Sequence, residues 1–154
     1  MKQNSTIKEQ SLNPQPSLRT KSEPVAEGLD ERVLAALHAA SEKKAIEPVV
    51  LDLREIASFT DYFMIVSGAN ERQVQAISDE IYENLKKAGH AAARVEGYKT
   101  AEWILLDYGD FVVHVFEQKA RQFYDLERLW RESKRVALPA EFSTDSASSL
   151  RRES

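Results

Sequence analysis

Residues 97–117, GYKTAEWILLDYGDFVVHVFE, constrain the fold more than any other stretch of this chain. Two runs rich in β-branched and aromatic residues, 103–108 and 111–117, are separated only by Gly109 and Asp110, which predicts a β-hairpin closed by a two-residue turn. Glycine at the first central position accepts the positive φ that such a turn needs. The turn then sets Tyr108 opposite Phe111, Leu106 opposite Val113 and Ile104 opposite Val115. One face of the hairpin is Ile104, Leu106, Tyr108, Phe111, Val113 and Val115, apolar throughout and expected to face the core. The other carries Trp103, Leu105, Asp107, Val112, His114 and Phe116. A tryptophan among polar groups suits a partner-facing surface, and a second layer covering this face, with Asp107 at its rim, suits the same pattern. Spacing alone leaves both readings open, and a turn one residue longer would exchange the two faces.

Around this hairpin the chain has room for one domain with tails: 154 residues, 42% of them hydrophobic. No stretch approaches the roughly eighteen apolar residues that cross a membrane, and the first residues lack the charged-then-apolar pattern of a secretory signal. A soluble, cytoplasmic protein without membrane contact is expected. The absence of cysteine excludes disulfide and thiolate chemistry. With 25 acidic against 21 basic residues the formal charge is −4, which disfavours direct DNA or RNA binding and suits a basic protein partner.

Residues 1–27 are polar, hold three of the five prolines and read as a disordered arm. The apolar spacing of Leu29, Val33, Leu37 and Ala40 predicts a helix over 29–44. A strand is expected at 49–53 after Pro48, and a second, apolar on both faces, at 62–67. The clearest helix spans 71–88, with Val74, Ile77, Ile81, Leu85 and Ala88 on one face, Asn70 as N-cap and Gly89 as its stop. A weaker strand at 91–95 leads into the hairpin. A last helix is expected over 120–133, burying Phe123, Leu126, Leu129 and Trp130. The domain is expected to span 28–139, with a disordered tail over 140–154. This order predicts an α/β or α+β fold, a mixed β-sheet flanked by helices.

No catalytic constellation stands out, and no cofactor or metal is expected. Asp52, Asp61, Asp107 and Asp110 form no Asp-x-Asp pair on one strand face, which two-metal phosphoryl transfer would need. His38, His90 and His114 share no helical face that could hold zinc. Ser67 and Gly68 open a strand-to-helix turn that could seat a phosphate, with Asp61 nearby, but a single glycine followed by no Walker lysine reads better as a capped helix. A binding module that is not an enzyme is the preferred reading, with a residual nucleotide-binding protein as the alternative.

Four blocks, TDYFMIVSG (60–68), RQVQAISDEI (72–81), EGYKTAEWILLDYGDFVVHVF (96–116) and RQFYDLERLW (121–130), together resemble the ribosomal silencing factor S family, also called Iojap. The resemblance implies a small α/β domain related in fold to nucleotidyltransferases but without their catalytic acids. It implies binding to the large ribosomal subunit through the ribosomal protein of the L-fourteen family, a steric block on small-subunit joining when nutrients are short, and a homodimer when free. Organelle members act in large-subunit assembly, which is the alternative role. Carried onto this chain, the partner-binding residues expected are Trp103, Leu105 and Asp107 from the first hairpin strand and Glu96, Tyr98 and Lys99 from its lead-in, with His114 and Asp110 behind them.

Overall fold

The computed structural model describes residues 29–142, so the expected arm over 1–27 and the tail beyond 142 lie outside the described residues. Asp30 caps the first helix, α1 (Glu31–Glu42), through its carboxylate, which accepts from the Arg32 amide at 2.7 Å. Its buried face is Val33, Ala36, Leu37, Ala39 and Ala40. The second helix, α2 (Glu71–Lys87), starts at Asn70, whose side chain accepts from the Gln73 amide, and stops at Gly89 with φ +94°. Val74, Ile77, Ile81 and Leu85 form its buried stripe, matching the expected face apart from Ala88 at the C-cap.

These two helices cover one face of a six-stranded mixed sheet. The strands are β1 (Ile46–Asp52), β2 (Tyr62–Gly68), β3 (Arg94–Glu96), β4 (Trp103–Asp107), β5 (Phe111–Glu117) and β6 (Lys134–Arg135), in the order β3-β4-β5-β2-β1-β6. Only β2 and β5 run parallel. They lie at the centre, and every residue of β2 is buried, as its unbroken apolar run predicts. The β4–β5 hairpin has the expected register, with Ile104 opposite Val115 and Leu106 opposite Val113, and Gly109 at φ +87°. In β1 the pairing shifts between Ile46 and Val49, where Glu47 takes φ +46° and Pro48, which has no N–H to give a ladder, follows. The lead-in strand is three residues long and starts later than expected, and β6 is too short for any periodicity to announce it.

The hairpin tip is tied to its surroundings on three sides. Thr60 Oγ1 donates to the Gly109 carbonyl at 2.9 Å, the Asp61 amide donates to the Asp110 carbonyl at 2.8 Å, and Arg32 of α1 reaches the Asp110 carboxylate at 2.7 Å. The same guanidinium pairs with Asp30 and lies over the Phe111 ring, 5.1 Å from its centroid. These contacts hold α1 against the tip and fix the end of the register.

The last helix departs from expectation. Rather than one helix over 120–133, two short ones form, α3 (Gln118–Tyr124) and α4 (Leu126–Leu129), broken at Asp125, which adopts the left-handed conformation at φ +47°, ψ +54°. Phe123 and Leu129, expected inside, are 80% and 69% exposed, while Leu126 is buried. Arg121 accounts for the break. Its Nη1 donates to Ser67 Oγ at 2.9 Å beneath the sheet end, and its Nε and Nη2 form a fork on the Glu127 carboxylate at 3.2 and 3.0 Å. On a continuous helix residues six apart point about 120° away from each other, so this fork requires the chain to turn between them. Packing also runs past the expected domain end, since Phe142 is buried with its ring edge-to-face with His38 at 5.0 Å.

Replacing Arg121 with Leu removes the donor to the Ser67 hydroxyl and leaves the Glu127 carboxylate with only the longer contact to Arg135 at 3.5 Å, and urea unfolding at pH 7 is expected to show a loss of about 2–4 kcal/mol. An unchanged midpoint would mean that the break at Asp125 does not depend on this pair.

Candidate functional site

The mixed face of the hairpin resolves into two halves. On β5 and β2 the second layer is real: Val112, Phe116, Phe63 and Ile65 are buried together with Leu126 of α4, and Trp130 packs against them. On β4 that layer thins: Trp103 and Leu105 pack against its edge and, like Asp107, are only partly buried. The covered-layer reading therefore fits β5 and β2, and on β4 the cover reaches only as far as Tyr124 of α3 against Trp103.

His114 lies on the covered strand. It is 3% exposed, so the expectation that it belongs to a partner-facing surface is corrected to a supporting position beneath that surface. The Trp103 indole N–H donates to His114 Nδ1 at 3.0 Å, which makes the imidazole neutral with its proton on Nε2. Phe63 packs edge-to-face on the same ring at 4.4 Å between centroids, while Nε2 has no hydrogen-bond partner. Burial pushes the His114 pKa down to about 3. Trp103 is thus held by its polar atom to a side chain that stays uncharged, and its ring lies against Phe116 at 4.9 Å and Tyr124 at 4.8 Å.

A depression of about 240 Å³ opens beside Trp103, lined by Glu96, Gly97, Trp103 and Leu105. It brings together three of the eight expected residues, Glu96, Trp103 and Leu105, and Tyr98 and Lys99 follow Gly97 in the chain and are exposed. Arg94 on β3 bridges the Glu96 carboxylate at 3.0 Å and the Asp107 carboxylate at 3.1 Å. Asp107 also accepts from the Gly109 amide at 2.9 Å, so it closes the hairpin turn as well as facing the solvent. Asp110 is not part of this cluster. It sits at the hairpin tip on Arg32, the opposite end of the strand from Trp103.

Sequence reasoning missed two features around Trp103. Tyr124 and Phe123 of α3 extend the aromatic surface from Trp103 outward, with centroids 5.0 Å apart and both rings exposed. Helical spacing put Phe123 on the buried face and made no assignment of Tyr124, and the break at Asp125 turns Phe123 outward. The second is Gly97 at φ +80°: a Cβ there would overlap the Trp103 carbonyl oxygen, so the backbones of the loop and of β4 are in direct contact.

The phosphate alternative finds little room. Ser67 is buried under Arg121, a Cβ on Gly68 would already crowd Val74 at 3.1 Å, and the Gln73 carboxamide accepts from the Ala69 amide at 2.7 Å, occupying the turn. Among the described residues no group of three or more His, Asp or Glu side chains could hold a metal ion, and no helix is long and apolar enough to cross a membrane.

The depressed His114 pKa makes stability pH-dependent with a definite sign. The unfolded chain takes up a proton below pH 6.5 while the folded one stays neutral to about pH 3, so stability is full above about pH 7 and falls with acid through that window. Between pH 7 and 4.5 wild type is expected to lose about 2–3 kcal/mol more than His114→Gln in urea unfolding. Equal losses would show that His114 does not carry this dependence.

A model of the family described as "Ribosomal silencing factor during starvation" matches residues 26–154. The chain is 41% identical over 108 residues to the ribosomal silencing factor RsfS of Halalkalibacterium halodurans, covering 70% of this chain and 92% of that protein. It is 33% identical over 75 residues to the mouse protein named mitochondrial assembly of ribosomal large subunit protein 1, covering 47% of this chain and 33% of that one. A crystal structure of a protein from Chromobacterium violaceum superposes with a TM-score of 0.64 at 34% identity, over 65% of this chain and 83% of the other. The mixed sheet with flanking helices, the four sequence blocks and these matches agree: the chain belongs to the ribosomal silencing factor family.

Proposed function

We propose that this protein binds the large ribosomal subunit through the ribosomal protein of the L-fourteen family, and that its bulk then excludes the small subunit and lowers translation when nutrients are limited. Such an activity turns nothing over, so it needs a surface rather than an active site. The observation that carries the reading is the uncovered half of the sheet: Trp103 and Leu105 stand half-exposed beside a depression, on strands whose register is fixed from behind. Half-buried aromatic and aliphatic groups on a rigid strand lose little conformational freedom on docking and serve as anchors. The net charge of −4, with Glu96 and Asp107 at the rim, steers encounter with a basic ribosomal protein and disfavours lying on RNA.

The activity resides in the domain that was expected over 28–139 and whose packing continues to Phe142, acts in the cytoplasm, and free protein pairs with a second copy. A second role, in large-subunit assembly, is favoured by the name of the mouse relative and would use the same face on an immature particle.

In co-sedimentation with separated subunits, wild type is expected to pellet with the large subunit only and to block subsequent small-subunit joining. Leu105→Ala and Trp103→Ala are each expected to weaken that binding at least about tenfold, as truncated central anchors do. Leu105→Ala makes no hydrogen bond change, so its effect separates binding from stability. Binding by both variants at wild-type strength, with folding intact, would remove the site from the hairpin.

A further inference from the structure

The loop that rims the depression, residues 97–101, is held in an unfavourable shape from the opposite side of the sheet. Two of its residues have positive φ, Gly97 at +80° and Ala101 at +55°, and Ala101 is buried with an ordinary side chain in the left-handed region. Two hydrogen bonds inside the loop converge on the Gly97 carbonyl, from the Ala101 amide at 3.0 Å and, more weakly, from the Thr100 hydroxyl at 3.5 Å. The remaining support comes from α2. Gln75 Nε2 donates to the Tyr98 carbonyl at 2.9 Å, and the Tyr98 hydroxyl donates to Asp79 Oδ2 at 3.1 Å. Gln75 and Asp79 are one helical turn apart and grip the same loop residue by backbone and by side-chain tip.

α2 packs on the sheet face formed by Ile104 and Leu106, whereas Trp103 and Leu105 face the other way. The effect of Gln75 and Asp79 therefore reaches Trp103 through the chain itself. Tyr98 fixes Gly97, and Gly97 lies directly against the Trp103 carbonyl, with no room for even one carbon between them. Where the loop goes, the start of β4 goes with it.

We propose that Gln75 and Asp79 are positioning residues for the partner face: they hold Tyr98, and through it the 97–101 loop, in the one shape that keeps the depression beside Trp103 open and Lys99 on its rim. The strain at Ala101 is what they hold in place. A loop without them relaxes Ala101 toward negative φ, which moves Gly97 against β4 and closes or distorts the depression. This rests on the reading of Trp103 and Leu105 as the partner-binding anchors. It adds two residues that lie on the far layer of the molecule.

The test uses the full-length chain and purified large subunits. The double variant Gln75→Ala/Asp79→Ala is expected to bind about five- to tenfold more weakly, the size expected from losing two hydrogen bonds that order the site. Its urea midpoint stays near wild type, because both bonds lie at the surface. Asp79→Asn keeps an acceptor for the Tyr98 hydroxyl and is expected to bind as wild type, whereas Asp79→Ala alone does not. Hydrogen exchange of the free protein supplies a readout that a merely structural role leaves unmoved: the Ala101 amide loses protection in the double variant while the α2 core amides keep theirs. If Trp103→Ala loses binding but the double variant binds like wild type, the positioning role is wrong and the anchor reading stands. If Trp103→Ala itself binds normally, the anchor reading has failed, and the loss of Ala101 protection still decides whether Gln75 and Asp79 hold the loop. Unchanged exchange at Ala101 overturns the proposal in either case.

Discussion

The antiparallel register of β4 on β5 decides which side chains of this domain meet solvent and which meet the core. With Leu105 opposite His114 and Leu106 opposite Val113, alternate residues of β4 enter the layer under α1 and α2, and the rest face the layer of α3 and α4. A slip of one residue would expose Ile104 and Leu106 and bury Asp107, at a cost no turn geometry could offset. The ties at the hairpin tip, from Thr60, Asp61 and Arg32, hold that register at the end closed by the turn.

From this register follows the asymmetry that makes a surface. β5 lies in the interior of the sheet and is covered on both faces, and β4 lies one strand nearer the edge and is covered on one. Arg121 sets where the cover ends. With the chain bent at Asp125 and Arg121 on Glu127, α4 lies over β2 and β5, Tyr124 lies against Trp103 and Phe123 is turned outward. His114 connects the halves: buried under the cover, it accepts the indole N–H of a tryptophan that stands outside it. The aromatic surface is thereby anchored to the core by a single directional bond.

The hairpin, its register, the continuous apolar strand and the capped helix α2 were all legible in the sequence, because each rests on local spacing: a period of two, an unbroken apolar run, or a stripe every three to four residues closed by Asn70 and Gly89. The helix break at Asp125 was not, since it goes with Arg121 gripping Glu127 across the turn while its Nη1 is held on Ser67, 54 positions earlier in the chain. The same distance hid the exposure of Phe123 and Leu129, whose helical spacing imitates a buried face. For the proposed partner face the sequence singled out Trp103, Leu105, Asp107, Glu96, Tyr98 and Lys99, which lie on β4, β3 and the loop between them. It also chose His114 and Asp110, which alternation and proximity to the turn could not distinguish from them. Gln75 and Asp79 left no signal at all, because polar residues on a helix with an apolar stripe read only as its solvated side.

The central claim, that the half of the sheet left open by α3 and α4 is where the large subunit docks, is tested most directly by hydroxyl-radical footprinting of the protein free and bound to large subunits. Trp103, Tyr124 and Tyr98 are expected to lose reactivity on binding, while Ile56 and Tyr82, away from this face, keep theirs. Undiminished labelling of Trp103 and Tyr124 in a complex shown to be fully bound would contradict the account and place the contact elsewhere on the molecule.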